Sequence, residues 1–445
     1  MRKLSGVLSG VLAVSLLVMA AAAPGASPSK SPPQSPPKSL PRAATPEEVG
    51  LSSQRLQRLT DTFEADVASG RIPGAVVLVA RRGKVAYLHT FGFQDRAAGT
   101  QMQPDSIFRI ASMTKPITTV AALMLAEEGK LQLMDAVSTY LPQLKQLQVG
   151  VEIQEGNGER QLVLEPAQRE VTVQDLMRHT SGMTYGVFGD SLVQQAYRAA
   201  NTMDDQQTNA QLIDKLAKLP LAFQPGSAFE YGMSNDVIGR VVEVQSGMDL
   251  NRFIVERIAR PLGMRDTAFL LDAGQVKRLA EPQTAPGAKP VVIGYNPAQP
   301  PKWFSGGGGL LSTAEDYARF CQMLLNGGEL DGVRLLSRKS VELMTSNHLP
   351  PDVGYGAFTM ELGLSAPLPQ YGQGYGLGVG VRQEAGRAVV PGSVGDFFWG
   401  GATGPYFWVD PQEQLIAILM MQVSDMQVRT RYRSLLRNLV YQALQ

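Results

Sequence analysis

Cysteine and histidine are nearly missing from this 445-residue chain: Cys321 stands alone, and the histidines are His89, His179 and His348. A lone cysteine forms no internal disulfide, and three scattered histidines give none of the ligand spacings of a zinc or haem site. Stability therefore rests on packing, and chemistry falls to other residue types. A surplus of charge is missing too. Lys and Arg number 41 against 40 Asp and Glu, for a formal net charge of +1, so no basic face is offered to a nucleic-acid backbone. The Gly-x-Ser-x-Gly turn of the common serine hydrolases does not occur either; Gly392-Ser393-Val394-Gly395 has the wrong spacing. What is present is 44% hydrophobic residues with 18% charged, which excludes a disordered chain.

The only long apolar run lies at the start. Arg2 and Lys3 precede Leu4 to Met19 and then four alanines, the order of a secretory signal, read as residues 1–23. An uncleaved membrane anchor is the alternative, since the run approaches the ~20 residues of a span. Cleavage predicts an exported protein, periplasmic or secreted, with no stable membrane insertion. Residues 24–44 are rich in Pro, Ser and Lys and read as an extended spacer. The folded domain is expected over 45–445, opening on a helix capped by Ser52 with Leu56, Leu59, Phe63 and Val67 on one face.

Strand character is concentrated at the two ends of that domain. Ala75 to Ala80 and Val85 to Phe91 form a hairpin around Arg81-Arg82-Gly83-Lys84. Tyr375 to Val381, Phe397 to Trp399, Tyr406 to Val409 and Leu415 to Val423 are the C-terminal β runs, followed by a helix from Met426 to Leu444. Between them the chain reads as helices, with one further hairpin from Val149 to Val163. An α/β (α+β) fold follows, with a mainly antiparallel sheet built from N- and C-terminal segments, flanked by helices and carrying an inserted helical subdomain.

Phe108-Arg109-Ile110-Ala111-Ser112-Met113-Thr114-Lys115-Pro116-Ile117-Thr118 leads into an apolar helix that stops at Gly129. One turn separates Ser112 from Lys115, so hydroxyl and amine share a face. A serine attacks only when something takes its proton, and a desolvated lysine can do so. The spacing alone is weak evidence, because Ser27 to Lys30 and Ser35 to Lys38 repeat it in the spacer. Only the copy on an apolar helix is credible; the plainer reading is a capping serine with a surface lysine. His179 is read as a structural residue of its turn. Gly306 to Gly309 reads as close backbone packing, since no Gly-Lys-Ser/Thr follows and Ser312-Thr313-Ala314-Glu315 suggests a capping box opening a helix.

Phe108 to Thr118, Asp175 to Met183, Ser305 to Phe320 and Phe398 to Ala402 together resemble the class C β-lactamase-related serine hydrolases, and within that group the family VIII carboxylesterases. The likeness is collinear from about residue 47 to the C-terminus and implies a β-lactamase/transpeptidase-like fold. It implies Ser112 as nucleophile, Lys115 as its lysine, and Tyr231, in Phe229-Glu230-Tyr231-Gly232-Met233-Ser234-Asn235, as the tyrosine sharing the proton work. The relatives commonly read Tyr-x-Asn, whereas here Met233 stands at the second position and Asn235 two residues further on. Trp399, Gly400 and Gly401 match the strand where β-lactamases carry Lys-Thr-Gly, so a carboxylate-favouring lysine is replaced by an apolar wall. Ala402 N–H with Ser112 N–H is the implied oxyanion hole. Tyr185, Trp303 and Phe398, with Phe188 and Phe304, are the candidates for an aromatic acyl pocket.

The resemblance thus implies a cofactor-free serine hydrolase that cleaves carboxylic esters through an acyl-enzyme. A β-lactamase, a D-amino-acid peptidase or an acyltransferase on the same scaffold is the alternative. A catalytically silent domain binding cell-wall fragments or a protein partner is a further one. The partner is in the first cases a small-molecule ester or β-lactam.

Overall fold

The computed structural model describes residues 39–154, 156, 158–282, 299, 301–423 and 425–445. The expected signal, most of the spacer and residues 155 and 157 in the tip of the Val149 to Val163 hairpin lie outside the described residues. The spacer reading extended to residue 44, yet Leu40 is buried in the core, and Val85 N–H donates to Pro41 O while Ala43 N–H donates to Val85 O. Packed chain therefore begins by Leu40, because a buried leucine followed by two strand-like bonds docks the segment on the hairpin.

Eight strands form the central sheet: β1 (Gly74–Arg81), β2 (Lys84–Asp95), β3 (Thr100–Gln101), β4 (Gln373–Tyr375), β5 (Gly380–Arg382), β6 (Phe397–Gly400), β7 (Tyr406–Asp410) and β8 (Leu415–Met420). Their order is β4-β5-β6-β7-β8-β1-β2-β3, antiparallel at every step. The register Val76↔Met420 to Arg81↔Leu415 joins the two ends of the domain. Alternation along β1 explains why Ala75 to Ala80 is apolar throughout. Val76, Leu78 and Ala80 face the larger core, while Ala75, Val77 and Val79 face the smaller one, so neither side meets water.

The smaller core lies under two helices, α1 (Ser53–Ala68) and the C-terminal α5 (Met426–Tyr441). Ser52 Oγ caps α1 as expected, and Tyr432 of α5 donates its hydroxyl to Asp66 of α1 at 2.6 Å. The larger core lies under the inserted helical part. There α2 (Thr114–Glu127) packs beside α3 (Ser234–Ser246), and α4 (Ala314–Leu325) rests on the sheet. Every residue of α2 from Thr114 to Leu125 is buried. No helix among the described residues is long and apolar enough to cross a membrane.

Three boundaries differ from the sequence reading. Tyr375 to Val381 is two strands, because Gly378 turns at φ +75° where a side chain would strike Thr119 of α2. The run from Leu415 ends as a strand at Met420, since Gln422 turns to donate to Arg109 O. The helix α4 is capped by Thr313, whose Oγ1 accepts from Asp316 N–H at 3.1 Å; Ser312 is instead paired with Phe108 in a short ladder.

Asp396 carries the costliest burial at the sheet. It accepts from Arg382 Nε at 2.9 Å and from two nitrogens of Arg437 on α5 at 2.8 and 3.1 Å, with all three side chains buried. Breaking one member of such a set strands the other charges without water. Asp396→Ala is expected to destabilise the protein by about 3–5 kcal/mol in chemical denaturation, through two orphaned guanidinium groups. A loss under about 1 kcal/mol would show that the set contributes little to holding α5 on the sheet.

Candidate active site

Ser112 reaches its position through a strained approach. Phe108–Arg109 pairs with Leu311–Ser312, and the chain then passes Ala111 at φ +45°, a left-handed conformation costly for a residue with a Cβ. A 3₁₀ turn, Ala111–Met113, follows and opens directly into α2. Ser112 is left partly exposed, while Lys115, one turn on, is fully buried.

Lys115 Nζ donates to Ser112 Oγ at 3.2 Å, to Tyr185 OH at 3.2 Å and to Gly307 O at 2.7 Å. These three acceptors use the full donor capacity of an ammonium group and fix its direction. The same nitrogen stands 4.6 Å from the centre of the Tyr231 ring. Tyr231 OH accepts from Trp399 Nε1 at 3.2 Å. Ser112, Lys115, Tyr231 and Trp399, drawn from three separate stretches of sequence, therefore meet at one point. Tyr185, expected as pocket wall, is also a direct partner of the lysine. Burial, then the Asp236 charge, pushes its phenol well above the usual range, so it remains a hydroxyl at neutral pH.

His179 lies behind this group at φ +57°, its ring 4.7 Å from that of Tyr231. Its Nδ1 accepts from Gly232 N–H at 3.4 Å, and burial together with the Lys115 charge holds the imidazole well below its usual pKa. A neutral ring buried against the tyrosine matches a structural part. Asn235 turns away from the cavity and donates to Thr119 Oγ1 at 3.3 Å.

The strand β6 ends on the residues expected at the oxyanion side. A Cβ on Gly401 would lie 2.6 Å from Ile110 O and 3.2 Å from Ala111 Cβ, so only glycine lets this backbone approach the peptides that lead to Ser112. Thr403 Oγ1 at 2.9 Å and Gln422 Nε2 at 3.1 Å both donate to Arg109 O and tie the same two segments together. Two arginines of α5, which the sequence reading did not single out, hold the turn from the far side. Arg433 donates to Gly401 O at 2.7 Å, with its guanidinium against Gly400, and Arg429 donates to Ala402 O. Burial and the neighbouring Arg429 charge bring Arg433 down to about 10. Spacing of four residues on an amphipathic helix is their sole trace in the sequence.

These groups open into a cavity of about 770 Å³ that Ser112, Tyr185, Tyr231, Trp303 and Trp399 line together. Phe188 and Phe358, stacked 3.9 Å apart, form one wall. Phe398 does not belong to it, which corrects the expected acyl pocket. Neighbouring residues of a strand point to opposite faces, so Trp399 faces the cavity while Phe398 packs in the smaller core, 5.2 Å from the Arg437 guanidinium. Phe304 packs on Phe269 instead. The tetraglycine packs closely as expected: a Cβ on Gly306 would lie 2.5 Å from Asn235 O. Among the described residues no cluster of three or more His, Cys, Asp or Glu could hold a metal ion.

Comparison with known proteins gives a consistent picture. The sequence model of the family described as Beta-lactamase matches residues 59–442. Protein Rv1367c of Mycobacterium tuberculosis is 36% identical over 360 residues, covering 80% of this chain and 86% of that protein. Esterase EstB of Burkholderia gladioli is 28% identical over 384 residues, covering 82% and 89%. Among solved structures, EstCE1, titled a hydrolase with promiscuous acyltransferase activity, superposes with a TM-score of 0.70 at 27% identity, covering 87% of this chain and 99% of that one.

Proposed function

The chain belongs to the β-lactamase family and is a serine hydrolase of that fold; from this premise we propose that it cleaves carboxylic esters through an acyl-enzyme on Ser112. The observation that carries the reading is the 3.2 Å contact of Lys115 Nζ with Ser112 Oγ at the floor of an aromatic cavity. In its uncharged form Lys115 takes the serine proton as Oγ attacks the ester carbonyl. The resulting oxyanion is met by Ser112 N–H and Ala402 N–H, donors of a kind worth a few kcal/mol each, of order 3. As the tetrahedral intermediate collapses, the proton passes by way of Tyr231 to the departing alcohol. Water then attacks the acyl-enzyme by the same route in reverse, and the free acid leaves with Ser112 restored.

Trp399 supports an ester over a β-lactam. It presents an indole where the family's β-lactamases commonly present a lysine, and no asparagine amide enters the cavity from the Tyr231 segment. EstB, named an esterase, and EstCE1, titled a hydrolase with promiscuous acyltransferase activity, support the same acyl chemistry. Turnover of a p-nitrophenyl short-chain ester beside nitrocefin tests the proposal. The ester is expected to be preferred in kcat/KM by at least about 100-fold, or about 2.7 kcal/mol. A preference for nitrocefin would make the protein a β-lactamase instead.

A further inference from the structure

Asp236 is a buried carboxylate that none of the expected roles used. It lies in the first turn of α3, five residues after Tyr231, and is 1% exposed. Its Oδ1 accepts from Ser305 Oγ at 2.5 Å and from Gly307 N–H at 3.1 Å. Gly307 in turn gives its carbonyl to Lys115 Nζ at 2.7 Å, so a single residue stands between carboxylate and ammonium. The second oxygen, Oδ2, has no hydrogen-bond partner among the described residues. It lies 2.4 Å from the point to which a Cβ on Gly307 would project, and that point is 3.0 Å from Tyr185 OH. A side chain at 307 would strike both groups, so only glycine there lets carboxylate, phenol and lysine close around the backbone.

Charge accounts for the same arrangement. Asp236 and Lys115 are coupled by charge as well as through Gly307. Burial pushes the Asp236 carboxyl up, while the Ser305 hydroxyl, the Lys115 charge and Gly307 N–H pull it back. The other groups facing the pair are His179, held neutral, Tyr185 and Tyr375, both pushed well above the usual phenol range, and Tyr231. Glu230, on the far side of Tyr231, is occupied by Thr184 Oγ1 at 2.5 Å.

We propose that Asp236 is the counter-charge of Lys115, a positioning residue that acts through Gly307 to aim the lysine at Ser112 and to favour the charged lysine formed when the serine proton is taken. The inference rests on the reading of Lys115 as the proton acceptor. A negative charge one residue away stabilises the cation created when the uncharged lysine takes the serine proton. Its removal therefore slows acylation and lets the lysine shed its proton at lower pH.

Asp236→Asn, which keeps the shape and the Oδ1 acceptor, is expected to lower kcat for the p-nitrophenyl ester by about 10- to 100-fold with little change in KM. The acid limb of kcat/KM should move down by about one pH unit. A folded variant whose limb stays at the wild-type position overturns the proposal. A thermal-melting cycle reads the pairing without activity: Lys115→Met leaves the carboxylate uncompensated, so Lys115→Met/Asp236→Asn should melt higher than Lys115→Met alone. Additive losses in that cycle overturn the proposal. Wild type that turns over no ester would sink the esterase reading while leaving this cycle to decide the pairing.

Discussion

Ser112→Ala is expected to lower kcat for the ester by about 10³- to 10⁶-fold, the range seen when a hydrolase loses its nucleophile and keeps only its binding and oxyanion groups. The effect is this large because no other hydroxyl in the cavity shares the environment of Ser112. Ser305 also lines it, but its Oγ is committed to Asp236. Ser112 Oγ is reached by Lys115 Nζ, and the turn at Gly401 that backs the expected oxyanion hole packs on Ile110 and Ala111 just before it. Folding should survive, since Ser112 is partly exposed and the strain at Ala111 lies in the preceding residue. A fluorophosphonate probe gives a second readout: wild type is labelled covalently and Ser112→Ala is not. Labelling of the folded alanine variant at the wild-type rate would remove Ser112 from the chemistry.

Legibility of this site followed the distance over which each residue's meaning is set. Ser112 and Lys115 are three apart on an apolar helix, so local geometry alone placed them together, whereas no apolar helical pattern follows the two copies in the spacer sequence. Tyr231 came from collinear resemblance and is now seen with its ring under the lysine. Arg433 is different: its meaning depends on α5 crossing the sheet so that a guanidinium lands on Gly400, and no local pattern encodes that crossing. Asp236 likewise acquires its role from a glycine turn about seventy residues downstream that lies against both α2 and α3. Phe398 was a misreading the sequence could have prevented, because period-two alternation forbids it and Trp399 from facing the same cavity. The sheet itself was legible because its apolar runs sit at the two ends of the domain; the break at Gly378 was not, since it is dictated by contact with Thr119.

Lys115→Met carries the second large expectation, a fall in kcat of about 10³-fold or more with the KM for the ester nearly unchanged. Methionine matches the length and apolar stem of lysine and removes the one group that donates to Ser112, Tyr185 and Gly307 at once. Serine then keeps its proton during attack, and the residual rate should lose the acid limb that the lysine imposes. Stability should fall as well, by about 1–3 kcal/mol for the unsatisfied Gly307 carbonyl alone, so near-ultraviolet circular dichroism must accompany the assay. Lys115→Arg separates the two parts of the lysine's task. A guanidinium keeps a cation near Asp236 but does not give up its proton, so this variant should remain inactive. If it instead hydrolysed the ester at a rate near wild type, the site would require only a positive charge beside Ser112, and the proton would have to leave by way of Tyr231 alone.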